Sequence, residues 1–100
     1  ISGCGPAYAF LLAEVMAAAG EAKGLSRDLA LRLAQKTVQG AGALMMDSED
    51  PPSTLRENVT SPGGVTKAAL DVLMREGAMP SLMKEAVDAA IKRDRELSGD

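Results

Sequence analysis

The sequence predicts an all-α fold, a helical bundle of about five helices. Three observations support this prediction. Helix-forming residues dominate the 100 positions, no segment shows the two-residue alternation of a strand, and glycine or proline interrupts the chain between helix-length segments. The composition, 46% apolar and 25% charged, is typical of a globular chain long enough for one domain.

The first two helices are predicted from their end signals. The first covers residues 6–23. Pro6 suits its first turn, where the missing N–H would have no intrahelical partner, and Gly24 ends it. The second covers residues 26–46 and begins at a serine N-cap. The acidic, proline-containing segment DSEDPP follows and is expected to break the helix.

The remaining helices are predicted over residues 53–58, 64–76 and 80–97. A loop over residues 59–63 precedes the fourth helix, and Gly77 ends it. On the fifth helix, Asp88 and Lys92 stand one turn apart, which predicts an ion pair between them.

The first helix is unusual because Glu14 is the only charged residue in the stretch 7–19. A helix that is apolar nearly all round must be surrounded by protein, and a small domain offers few helices to do so. Small residues that permit close helix approach recur along it, at Ala9, Ala13, Ala17 and Gly20. The helix is therefore either the centre of a monomeric bundle or buried by a second copy, and the second interpretation predicts a homodimer.

Composition excludes several classes of function. The chain has no histidine, which excludes a Ser-His-Asp hydrolase and removes the commonest metal ligand, so no metal site is predicted. Tyr8 and Phe10 are the only aromatic residues and the net charge is −3, which argues against a nucleic-acid partner.

The number of cysteines and the hydropathy of the sequence bear on cellular location and membrane binding. The single cysteine, Cys4, cannot form an internal disulfide, so a reducing, cytoplasmic location is expected. No apolar run of the sequence reaches the ~18–20 residues that a membrane span needs, so no membrane partner is predicted. The chain begins at Ile1 rather than Met, which predicts a piece of a longer protein.

The strongest signal for a binding site is the segment NVTSPGGVT over residues 58–66. Pro62 fixes one backbone angle, while Gly63 and Gly64 permit unusual angles and are expected to expose their N–H groups. The segment leads into a helix N-terminus, where N–H groups lack partners and the helix dipole is positive. Hydroxyl groups are added by Thr60, Ser61 and Thr66. These features predict a binding site for a carboxylate or small phosphate. The alternative is a helix cap, which uses the same residue types.

Four blocks of the sequence resemble, in order, the C-terminal domain of the pyrroline-5-carboxylate reductase family. The blocks are SGCGPAY at residues 2–8, GLSR at 24–27, NVTSPGGVT at 58–66, and EAV with REL within 85–97. The resemblance covers essentially the whole chain, and NVTSPGGVT is its most specific part. Cys4 stands where serine is usual in the family, and Val65 stands where a small residue or threonine is common.

The resemblance implies a helical dimerisation and substrate-binding domain over residues 1–100, with helices that interleave with those of a second subunit. In some members of the family the dimers assemble into a decamer. The complete enzyme of the family reduces 1-pyrroline-5-carboxylate to proline with NADPH or NADH. The cofactor is bound mainly by an N-terminal domain that would precede Ile1, so no cofactor-binding residue is expected here and the isolated fragment is expected to be inactive.

The resemblance also implies roles for particular residues. The loop that holds the substrate carboxylate corresponds to Ser61, Pro62, Gly63 and Gly64. Val59 lines the same pocket, and Thr66, the candidate catalytic residue, lies by the ring nitrogen. The alternative function is a non-catalytic helical domain for oligomerisation or partner binding, in which this loop only caps a helix. A carboxylate ligand bound at the loop would distinguish the two.

Overall fold

The computed structural model describes residues 3–99, and within them it contains five α-helices and no strand. The helices are α1 (Gly5–Ala22), α2 (Arg27–Asp47), α3 (Pro52–Asn58), α4 (Val65–Leu73) and α5 (Met79–Leu97). The all-α prediction is confirmed. The chain divides at Pro52 into two compact units, so the boundary falls at the end of the DSEDPP segment. Ser2 of the first resembling block lies outside the described residues.

The junction between α1 and α2 has the predicted end signals. Pro6 lies in the first turn of α1, which begins one residue earlier than predicted. Gly24 follows the helix with a φ of +107°, a conformation that residues with a Cβ rarely adopt. Ser26 Oγ then accepts a hydrogen bond from the Leu29 N–H at 3.2 Å and caps α2.

In the first unit, α1 packs against α2 through small residues. Ala30 and Ala34, one turn apart on α2, are 3% and 4% exposed, and they are the only buried residues in the described part of the chain. A Cβ built on Gly20 of α1 would lie 3.5 Å from the Ala30 Cβ, which shows how closely the helices approach there. The small residues that the sequence analysis singled out on α1 are all half-buried, namely Ala9, Ala13, Ala17 and Gly20.

Most of the large apolar side chains of the same two helices remain exposed. Phe10 is 68% exposed on α1, and Leu44 and Met46 are 63% and 86% exposed near the end of α2. Burying such side chains is normally the main source of stability in a domain. α1 therefore does not have the surroundings of a central helix in a monomeric bundle.

In the second unit, α4 is shorter than predicted. It ends at Leu73, and the C-cap residue Met74 donates its N–H to the Leu70 carbonyl at 2.8 Å, which is the last helical hydrogen bond. Gly77 has a φ of +80° in the reversal that follows, and α5 begins at Met79 with a proline in its first turn. Large apolar side chains are exposed in this unit too, at Val72, Leu73, Met74, Leu82 and Ile91.

The predicted ion pair between Asp88 and Lys92 is not formed. The ion pairs within residues 3–99 are instead Lys67 with Asp71 on α4, and Arg93 with Glu96 at 3.1 Å on α5. An exposed pair contributes at most about 1 kcal/mol, too little for helical spacing alone to fix which residues pair.

No helix of the described residues has the length and hydropathy needed to cross a membrane.

The close packing of α1 and α2 leads to a stability prediction. Ala30→Leu places extra volume against Gly20 and should lower the free energy of unfolding by about 1–3 kcal/mol. Gln35→Leu, at an exposed position of the same helix, is the matched control and should change it by less than about 0.5 kcal/mol. Chemical denaturation measures both variants, and equal stability of the two would contradict the described contact.

Candidate functional site

The segment between α3 and α4 forms a hydrogen-bonded turn. The Ser61 carbonyl accepts a hydrogen bond from the Gly64 N–H at 3.0 Å, and Pro62 and Gly63 occupy the two central positions. Gly63 has a φ of +72°. Proline at the first central position and positive φ at the second are the pattern of a type II turn. The turn explains why a residue without Cβ stands at Gly63 and a ring-constrained residue stands before it.

Gly64 is required for a different reason. It is the N-cap of α4 and has an extended backbone, with φ −87° and ψ −177°, so it does not use the unusual angles that glycine permits. A Cβ built there would lie 3.2 Å from the Ser61 carbonyl oxygen, which is tighter than ordinary contact. Its N–H is bonded to that same oxygen, so the prediction that both glycines expose an N–H group is wrong for Gly64.

The N-terminus of α4 is open. Its first helical hydrogen bond runs from the Ala68 N–H to the Gly64 carbonyl at 3.2 Å. The N–H groups of Val65, Thr66 and Lys67 therefore precede the hydrogen-bond ladder, and no side chain caps them. Within residues 3–99 they have no acceptor. Three N–H groups at the positive end of a helix favour an anion.

The hydroxyl groups of the segment divide into two kinds. Thr60 Oγ1 donates to the Arg56 carbonyl at 2.6 Å, so it is occupied at the end of α3. The hydroxyls of Ser61 and Thr66 are exposed and bond to nothing in the described part of the chain. Neither caps α4, although capping was the alternative interpretation of the segment.

All the residues predicted for the site lie on this one loop and the adjoining turn of α4: Val59, Ser61, Pro62, Gly63, Gly64 and Thr66. A cavity of about 240 Å³ lies beside the loop, between α3 and α4, but none of these six residues lines it. The sequence predicted N–H groups without partners at this helix end, but it did not assign them to Val65 and Lys67. The signal that could have found them is that the N-cap is a glycine, which has no side chain to bond to them.

The first resembling block forms the start of α1. Cys4 is its N-cap residue, and the Cys4 Sγ lies 3.1 Å from the Tyr8 hydroxyl oxygen. This hydrogen bond, with a smaller contribution from desolvation, raises the pKa of the Tyr8 phenol above its usual value. Cys4 is half-buried. Residues 3–99 contain no group of three acidic, cysteine or histidine side chains that could hold a metal ion.

Comparison with known proteins gives a consistent result. The family model described as pyrroline-5-carboxylate reductase dimerisation matches residues 1–97. Pyrroline-5-carboxylate reductase of Pisum sativum is 50% identical over 98 residues, which are 98% of this chain and 36% of the pea protein. The enzyme of Pseudomonas aeruginosa is 45% identical over 98% of this chain and 36% of its own length.

Two solved structures are similar along the whole chain. A pyrroline-5-carboxylate reductase from Coxiella burnetii has a TM-score of 0.90 at 41% identity and covers 97% of this chain and 36% of its own. The Plasmodium falciparum pyrroline carboxylate reductase with NADP bound has a TM-score of 0.76 at 37% identity, covering 98% of this chain and 36% of its own. The chain thus spans about a third of the length of these relatives.

The resemblance noted in the sequence is confirmed by a match that runs almost from end to end. With the family model covering residues 1–97 and a curated relative 50% identical over 98% of the chain, this chain belongs to the pyrroline-5-carboxylate reductase dimerisation family.

Proposed function

We propose that this chain is the C-terminal domain of an NAD(P)H-dependent enzyme that reduces 1-pyrroline-5-carboxylate to proline. In that enzyme, residues 1–100 supply the dimer contact and the seat of the substrate carboxylate. The observation that carries the proposal is the uncapped N-terminus of α4 behind the turn at Ser61–Gly64. It lies in the NVTSPGGVT segment by which the chain most specifically resembles this family.

The carboxylate of the substrate suits this place electrostatically. A single negative charge can accept hydrogen bonds from the N–H groups of Val65, Thr66 and Lys67, which have no acceptor within residues 3–99. The exposed Ser61 hydroxyl can add a further donor. Main-chain donors fixed in a helix lose little freedom on binding, so they hold an anion with little entropic cost.

Thr66 is proposed to act on the nitrogen side of the reaction. Reduction of the cyclic imine adds a hydride to the ring carbon and a proton to the ring nitrogen. The nicotinamide cofactor supplies the hydride when bound. Thr66 lies in the first turn of α4, and its free hydroxyl can orient the nitrogen of a ring whose carboxylate is held at the helix end, and can relay a proton to it.

The cofactor is proposed to bind mainly outside this chain. The Plasmodium falciparum relative has NADP in its structure, which supports use of a nicotinamide cofactor by the complete enzyme. The relatives are nearly three times as long as this chain, since the match covers 36% of each. A dinucleotide site needs a strand–turn–helix unit, and residues 3–99 contain no strand. The isolated chain is therefore expected to have no reductase activity.

The exposed apolar residues support a homodimer with interleaved helices, which could assemble further. Phe10 on α1, Leu44 on α2, Val72 on α4 and Leu82 on α5 are each more than half exposed in the single chain. A second copy that covers these faces would bury more than about 2,000 Å², which is the range of permanent dimers.

The dimer is tested by sedimentation of the 100-residue chain at micromolar concentration. We expect a dimer, and we expect Phe10→Glu to dissociate or unfold it because an unpaired buried charge costs several kcal/mol. Glu21→Gln, at an exposed polar position of the same helix, is the control and should leave the dimer intact. A compact, folded monomer of the unsubstituted chain would contradict the prediction.

The role of Thr66 is tested in the complete enzyme. Thr66→Val should lower kcat by roughly 10–1,000-fold, the range for loss of one positioned donor or proton carrier, and should change KM less. Thr66→Ser keeps the hydroxyl and should recover most of kcat. If Thr66→Val has the kcat of the unsubstituted enzyme and remains a folded dimer, Thr66 takes no part in the chemistry.

The turn itself is tested with a pair of glycines. Gly63→Ala and Gly77→Ala each force a side chain into positive φ, at +72° and +80°, so both should lower stability by about 1–3 kcal/mol. Only Gly63→Ala should also raise KM for the substrate, because it disturbs the turn in front of α4. Gly64→Val should raise KM as well, through contact with the Ser61 carbonyl. Steady-state kinetics measure the substrate KM of each variant. Equal KM values in the two alanine variants would show that the turn has no role in substrate binding.

A further inference from the structure

Thr60 connects the end of α3 to the turn in front of α4. Its Oγ1 donates a hydrogen bond to the Arg56 carbonyl at 2.6 Å, and its N–H donates to the Glu57 carbonyl at 3.0 Å. The Arg56 carbonyl also accepts the Val59 N–H, at a longer 3.3 Å. The Thr60 hydroxyl is the only side-chain group of residues 59–64 that makes a hydrogen bond within the described part of the chain.

These bonds fix the direction in which the chain leaves α3. That helix has only seven residues, too few to be stable through its own hydrogen bonds. The residue after Thr60 is Ser61, whose carbonyl closes the turn with the Gly64 N–H. The hydrogen bonds of Thr60 to α3 and the turn that leads to the N-cap of α4 are therefore separated by a single peptide bond, between Thr60 and Ser61.

We propose that Thr60 is a positioning residue for the substrate site. Its hydroxyl holds the loop so that Ser61 and the turn stand in front of the free N–H groups of α4 before substrate arrives. The inference rests on the proposed function, and it assigns different roles to the hydroxyl groups of residues 60, 61 and 66. The Thr60 hydroxyl serves the loop, whereas the hydroxyls of Ser61 and Thr66 are left for the ligand.

Loss of the hydroxyl should affect binding more than folding. Without the hydroxyl, the Arg56 carbonyl still accepts a hydrogen bond from the Val59 N–H, so the last turn of α3 keeps a hydrogen bond. The loop, however, loses its one side-chain hydrogen bond and must be ordered by the substrate carboxylate on binding. That ordering reduces affinity for the carboxylate but leaves the nitrogen chemistry at Thr66 intact.

Thr37 provides a matched control. Its Oγ1 donates to the Leu33 carbonyl at 2.7 Å, the same bond over the same spacing, but within α2. A purely structural effect of deleting such a bond should be similar at the two positions. An effect on substrate affinity should follow only from Thr60.

The experiment compares Thr60→Val, Thr60→Ser and Thr37→Val in the complete reductase. The measurements are kcat, KM for 1-pyrroline-5-carboxylate and for NADPH, the dissociation constant of L-proline, and the melting temperature. Thr60→Val should raise both the substrate KM and the L-proline dissociation constant about tenfold, the scale of one hydrogen bond, with kcat and the NADPH KM unchanged. Thr60→Ser should restore both values, and Thr37→Val should leave them as in the unsubstituted enzyme.

The inference is overturned if folded, dimeric Thr60→Val has an unchanged substrate KM, or if Thr37→Val raises it as much. If Thr60→Val does not fold, Thr60→Cys keeps the volume and a weaker donor. It should raise the substrate KM in the same direction, and an unchanged KM there overturns the inference too. An unsubstituted enzyme that does not reduce 1-pyrroline-5-carboxylate contradicts the proposed function instead.

Discussion

Most large apolar side chains of the described residues are exposed in the single chain, and the rest of the structure depends on how they are covered. In the first unit α1 and α2 pack through alanine and glycine, and Ala30 and Ala34 are the two buried residues within 3–99. Two buried residues and a set of half-buried ones provide little apolar burial to set against the conformational entropy lost on folding. We therefore expect the exposed faces around Phe10 and Leu44 to contribute their stabilisation through a contact with other protein, which accords with membership of a dimerisation family.

The candidate site is held in another way, by local hydrogen bonds. The turn at Ser61–Gly64 is closed by one main-chain bond, and the approach to it is fixed by Thr60. Such bonds join residues only three or four positions apart, so the loop keeps its shape without a large core beneath it. The N-terminus of α4 that the loop leaves open is then available to an anion, and the proposed reaction requires one negative group to be held while the ring is reduced.

The sequence predicted best those features that depend on near neighbours. The Ser26 cap, the positive φ of Gly24 and the helix order all follow from residues close in the chain. It did not predict that Gly64 is extended and bonded to Ser61, because two adjacent glycines allow many conformations and the turn selects one. The predicted ion pair between Asp88 and Lys92 was wrong, because an exposed pair contributes at most about 1 kcal/mol and helical spacing alone does not decide which charges pair. The substrate roles of Val59, Ser61 and Thr66 came from the family resemblance and remain predictions.

The central claim is that this chain is stable only together with a second copy of itself. Equilibrium unfolding of the 100-residue chain in urea, repeated over a hundredfold range of protein concentration, tests it most directly. If two folded chains give two unfolded ones, the apparent stability should rise by about 1.4 kcal/mol for each tenfold increase in concentration, and the midpoint should move to higher urea. A midpoint that stays constant over the whole range would show that the single chain folds alone and would contradict the account.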